Sequence, residues 1–166
     1  AARTYRVFAA RGIVAPEAIR AQGWDNLVAL LDEGGYARYD FKTATKLLKV
    51  MESLKENYQD SLEKVHETVR DGADLEGRLQ ALAPGVGPAT ANIFLRELRG
   101  VWPKAAPPLA PLAHSAAERL HLLAPGLSPP EALEALEKQW QAQPLAGFDL
   151  ADLEAALVRA GLQFRR

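Results

Sequence analysis

Cysteine is missing from all 166 residues, which excludes a disulfide framework, a thiolate zinc site and a cysteine-ligated iron–sulfur cluster. Long apolar runs are missing as well. No segment is long enough to span a bilayer, and the first residues lack a signal-peptide layout, so the expectation is a soluble cytoplasmic protein with no membrane partner. Neither sign of charge dominates: 20 Lys and Arg stand against 21 Asp and Glu, a formal net charge of −1. Nothing global advertises a nucleic-acid partner, and any basic footprint must be local. Histidine is scarce, and His66 has no second histidine or acid at metal-binding spacing, so it reads as a surface residue. The most consequential shortage is local: between Glu97 and Glu118 there is no acidic residue at all.

What is present is a helical pattern punctuated by proline and glycine. Hydrophobic residues make up 48% of the chain, enough for one good core or two small helical lobes, and one folded unit over 1–166 is the default. Residues 3–11 read as a short helix anchored by Tyr5 and Phe8. Pro16 opens another, Gly23 interrupts it, and Trp24 to Leu31 resumes with an apolar face expected in the core. Gly34 to Tyr39 breaks the pattern. Asp40 is then the expected N-cap of a long helix whose Phe41, Ala44, Leu47, Leu48, Met51, Leu54 and Tyr58 recur at helical spacing. Arg38, Lys42, Lys46 and Lys49 form a basic cluster there, and Arg96, Arg99 and Lys104 form another. Such runs are usually solvated faces, and for the lysines solubility and phosphate contact both stay open.

The chain is organised around residues 79–95. A helix expected to be capped by Asp74, with Leu75, Leu79 and Leu82 on one face, runs into Pro84-Gly85-Val86-Gly87-Pro88, which cannot continue it. A second helix starts with Pro88 in its first position. The two glycines permit positive φ and remove Cβ atoms, so the amides of Gly85, Gly87 and Ala89 are expected to converge where the helix dipole favours a phosphate. A grip on main-chain phosphate reads no base edge and is independent of sequence. Glycine-rich turns also serve as plain corners between helices, and that reading stands beside the first. The hairpin motif spans about 75–99. A proline-rich connector follows over 100–111, expected to be ordered because Trp102 and its leucines need packing. C-terminal helices near 112–123, 130–141 and 149–160 fill 112–166.

The string Leu82-Ala83-Pro84-Gly85-Val86-Gly87-Pro88-Ala89-Thr90-Ala91 resembles the hairpin of the helix-hairpin-helix (HhH-GPD) DNA glycosylase superfamily, the endonuclease III-like base-excision enzymes. The resemblance covers roughly residues 15–123 and is specific at 79–96. It extends to a glycine-aromatic stretch that leads into a lysine-bearing helix at a similar distance before the hairpin. It implies an all-α fold with helical lobes flanking a DNA-binding groove, and double-stranded DNA, damaged or abasic, as the partner. The backbone contact would come from Gly85, Val86, Gly87, Ala89 and Thr90, helped by Arg38, Lys42, Lys46 and Arg96. The resemblance also implies a monovalent cation, sodium or potassium, on the carbonyls of Ala81, Ala83 and Val86. Measured back from the hairpin, the loop that carries the family's DNA-intercalating wedge would precede Arg3.

Cleaving an N-glycosidic bond calls for a carboxylate, and nicking the strand through a Schiff base calls for an amine. The family's catalytic lysine stands just before the threonine-alanine of the hairpin, which is Ala89 here. Its aspartate falls on or near Pro108, or on Leu112 if His114 is matched to the family's histidine. The acid-free stretch around both positions leaves no local carboxylate. The expectation is a DNA-binding relative without the usual lysine–aspartate chemistry and without an iron–sulfur cluster. Two alternatives remain. One is an active glycosylase/lyase with displaced groups, for which Asp40, Lys104, Tyr39 and His114 are the candidates. The other is a helical protein-interaction module built on the connector and Trp102.

Overall fold

The computed structural model describes residues 2–164, which are all-helical, with no strand among them. The helices are α1 (Ala2–Ala9), α2 (Pro16–Glu33), α3 (Asp40–Tyr58), α4 (Leu62–Glu67), α5 (Gly72–Ala81), α6 (Pro88–Glu97), α7 (Pro111–Arg119), α8 (Pro129–Ala142) and α9 (Leu150–Gln163). They fall into two compact units, the first ending at Ala91 and the second beginning at Asn92, so the division lies within α6. No helix is long and apolar enough to cross a membrane among the described residues.

In the first unit α1, α2 and α3 enclose Phe8, Ile13, Leu27, Leu30, Leu31 and Ala44. Phe8 is the anchor expected of the first helix, whereas Tyr5 is exposed. Gly23 breaks α2 with φ 68° and ψ 176°, a conformation open to glycine, so the chain changes direction just before Trp24. The apolar stripe of α5 is buried as expected, with Leu75, Leu79 and Leu82 all inside. Two caps differ from the sequence reading. Asp40 is the first residue inside α3, flanked by Tyr39, and its carboxylate accepts the Phe41 N–H at 2.8 Å. Asp71 caps α5 by accepting the Asp74 N–H at 2.9 Å, while Asp74, in the first turn, takes the Arg70 N–H and the Arg78 guanidinium. Both aspartates stand at the start of the helix with a side chain suited to capping, which is why sequence alone does not separate them.

Arg20 of α2 is forked onto Asp60 after α3, with Nη2 donating to Oδ2 at 3.0 Å. Its hydrogen bond holds the Asp60 carboxyl below the ordinary range, partly opposed by desolvation. An unfolded aspartate titrates near 3.9, so this contribution is complete above about pH 4 and is lost as pH falls through the lower folded value. Asp60→Asn is therefore expected to destabilise the protein near neutrality. The difference from wild type should shrink as pH is lowered from neutrality to about 2, measured by urea unfolding at both ends. A constant difference across that range would refute the linkage.

In the second unit α7, α8 and α9 pack through Ala113, Ala116, Ala117, Ala132, Leu136 and Leu157. The alanines let helices approach closely, and a Cβ on Gly161 of α9 would stand 2.7 Å from the Leu112 carbonyl oxygen. The 100–110 connector is packed, with Trp102, Ala105 and Leu109 buried. Trp102 meets Phe94 edge-on with ring centroids 5.9 Å apart, and Asn92 and Arg99 donate to the Pro108 and Pro107 carbonyls at 2.9 and 2.6 Å. The prolines have no N–H to give, and these side chains serve two of their carbonyls, beside the turn bonds that the Trp102 and Ala105 N–H groups make to the Leu98 and Trp102 carbonyls.

Candidate nucleic-acid interface

The hairpin between α5 and α6 is short because α5 stops at Ala81 and Pro88 opens α6. The turn is closed internally by one bond, from the Val86 N–H to the Ala83 carbonyl at 3.0 Å. Val86 thus turns its amide inward and has none to offer a ligand. The Gly87 carbonyl accepts the Ala91 N–H at 3.0 Å, which makes Gly87 the flanking residue of α6. Ala89 and Thr90 then lie in a first turn whose N–H groups have no carbonyl behind them, and both residues are exposed.

The two hairpin glycines differ. Gly85 has φ +87°, the left-handed region. A Cβ there would stand 3.2 Å from Lys46 Cε and 3.6 Å from its Nζ. Gly87 is not among the positive-φ glycines, and a Cβ on it would meet nothing within 4 Å. Positive φ, which both glycines permit, is used at Gly85 and not at Gly87. Neither the backbone nor the neighbouring atoms require a glycine there, so the open space lies on the outside.

The hairpin is brought against the basic helix. Pro84 and Gly85 form one wall of an open groove of about 430 Å³, and Lys42, Lys46 and Lys49 of α3 line it with Trp24, Phe41 and Thr45. No carboxylate lines this groove, and none of the three lysines forms an ion pair among the described residues. The set is cationic in an otherwise balanced chain. Arg38, in the turn before α3, is exposed, with its guanidinium carbon 5.4 Å from the Tyr39 ring centroid. A second hollow, of about 380 Å³, is lined by Tyr5, Phe8, Val14, Tyr36 and Leu47 among others and has no charged side chain.

Trp24 opens a segment whose apolar face is expected in the core and Phe41 shares the helical spacing of the α3 stripe, yet they are 40% and 58% exposed. For Phe41 the signal is an aromatic in the first turn of a lysine-bearing helix; Trp24 carries no such local signal. Arg96 is also corrected. It is buried, its Nε and Nη2 donate to Glu97 Oε1 at 3.0 and 2.7 Å, and it lines a cavity with Arg99, Glu137 and Trp140, so it is not presented as an open phosphate contact.

The candidates for displaced chemistry do not form a constellation within either unit. Asp40 and Tyr39 belong to the first, where Asp40 is engaged by the Phe41 amide and Tyr39 is half-exposed. Lys104 and His114 belong to the second. Lys104 is half-buried on the connector, and His114 sits at the start of α7 with Nε2 3.8 Å from Glu118. No group of three or more histidines or acids is placed to hold a metal ion among the described residues. The Ala81, Ala83 and Val86 carbonyls are a separate donor set. Ala81 ends α5, where carbonyls lack helical partners, and Ala83 keeps one lone pair beyond its bond from Val86. Compared with protein-family models, with curated proteins and with solved structures, the chain matches none.

Proposed function

We propose that this protein binds DNA by its sugar-phosphate backbone, as a helix-hairpin-helix relative of the endonuclease III-like glycosylases that lacks their lysine–aspartate chemistry. The observation that carries the reading is Gly87: an exposed turn has a side chain removed where the protein's own packing gives no reason for it. The first-turn amides of Ala89 and Thr90 supply donors and a favourable dipole for one phosphate. Lys46, against Gly85, and Lys42 and Lys49 beside it add unpaired positive charge in the groove that Pro84 and Gly85 wall. A sodium or potassium ion on the Ala81, Ala83 and Val86 carbonyls would neutralise part of the phosphate charge, and hard oxygen donors suit such an ion. Ala89 in place of the family's lysine, and the acid-free connector, support a reading of binding without base excision.

The test is duplex affinity as a function of salt. Contacts from Arg38, Lys42, Lys46 and Lys49 would neutralise about four phosphates, giving a slope of log K against log salt of roughly −3 to −4. The affinity should not depend on base sequence. Absence of duplex binding at low salt would defeat the proposal.

A further inference from the structure

The hairpin and the lysines account for a phosphate grip and leave the two aromatic residues of the same groove unexplained. Trp24 and Phe41 stand with ring centroids 5.3 Å apart, tilted by 42°. The indole Nε1–H donates to Thr45 Oγ1 at 2.9 Å, and that hydroxyl donates to the Phe41 carbonyl at 2.9 Å. The only polar atom of the indole is therefore satisfied within the protein, the ring is held in one orientation, and what remains open is apolar ring surface. Around that surface stand three ammonium groups and no carboxylate. An apolar peptide would use the rings and leave the ammoniums idle. A paired duplex would use the ammoniums and leave the rings idle, because its bases are stacked on one another. A nucleotide whose base has left the stack uses both.

We propose that Trp24 and Phe41 form a seat for one unpaired base of DNA, whose adjoining phosphates are taken by Lys42 and Lys46. The proposal rests on the backbone-binding reading above and specifies its substrate: DNA with a base outside the helix, as in a bulge, a gap or a single-stranded segment. Pro84 and Gly85 close the other side of the groove, so a strand leaving the seat meets the hairpin directly. Extruding a base costs least where pairing is already lost, so the seat converts local unpairing into affinity without reading the base.

The experiment measures binding of three labelled probes at one salt concentration: a fully paired duplex, the same duplex with a single-nucleotide bulge, and an oligothymidine. The wild-type protein should bind the bulged duplex about tenfold more tightly than the paired one, the scale of one base–aromatic stack. Phe41→Ala, at a position more than half exposed, and Trp24→Ala should each reduce that preference to about twofold or less and leave paired-duplex affinity unchanged, while Phe41→Tyr should keep it. Circular dichroism checks that the variants are folded. Equal binding of paired and bulged duplexes by the wild type overturns the seat and leaves the backbone grip standing. A preference that survives both alanine variants overturns the assignment to these rings. Binding to no probe overturns both readings.

Discussion

Replacing Gly87 by leucine is expected to weaken binding to duplex DNA tenfold or more while lowering the stability of the folded protein by about 1 kcal/mol at most, the scale of a helix-cap change. A phosphate held by main-chain amides must come to within about 3 Å of their nitrogens, and a branched side chain at the turn occupies that approach. The protein itself has room for the leucine, since a Cβ there meets no atom within 4 Å and φ is outside the left-handed region. Tenfold corresponds to about 1.4 kcal/mol, the order of one charge-assisted contact. Gly85→Leu is the contrasting variant. Its φ of +87° puts a side chain in a strained conformation costing about 1–2 kcal/mol, and the neighbouring Lys46 must move as well. Stability and affinity should therefore fall together at 85 and separate at 87, with thermal melts and fluorescence anisotropy as the paired readouts. Unchanged binding by Gly87→Leu would return the hairpin to a plain corner between helices.

The largest expected effect on folding lies in the second unit. Glu154 of α9 is 1% exposed and forms an ion pair with Arg99, whose side chain is 13% exposed. Burial lowers the Arg99 pKa, with the charge of Glu137 acting the other way. The same guanidinium donates Nη2 to the Pro107 carbonyl at 2.6 Å, so one buried charge links α9 to the connector. Glu154→Ala removes the ion-pair partner of that buried charge, and the loss should be about 3–5 kcal/mol. Replacing both residues by leucine removes the desolvated charges together and should cost far less. Urea unfolding of the single and double variants measures both. A Glu154→Ala loss below about 1 kcal/mol would show that the pair is solvated or exchangeable.

The helices were legible because their signals are local. Pro16, Pro88, Pro111 and Pro129 each stand at the start of a helix, and the Leu75, Leu79 and Leu82 stripe is buried as its spacing implies. The turn at Gly85 was legible for the same reason. Spacing says which residues share a helix face; it does not say whether anything covers that face, and so Phe41 passed for core beside Ala44 when it lies open against Trp24. Burial of Arg96 and the partnership of Arg99 with Glu154 depend on elements distant in sequence, and no local pattern encodes them. Gly87 is the instructive position. Of the two properties the sequence suggests for it, positive φ is not used, and the absent Cβ leaves open space.

Amide resonances offer the most direct test of the central claim. In a nitrogen–proton correlation spectrum of the labelled protein, titration with a paired duplex at low salt should shift the Gly85, Gly87, Ala89 and Thr90 signals first and furthest. Saturable binding in which those four signals do not move, or a titration that moves none at all, would contradict the account.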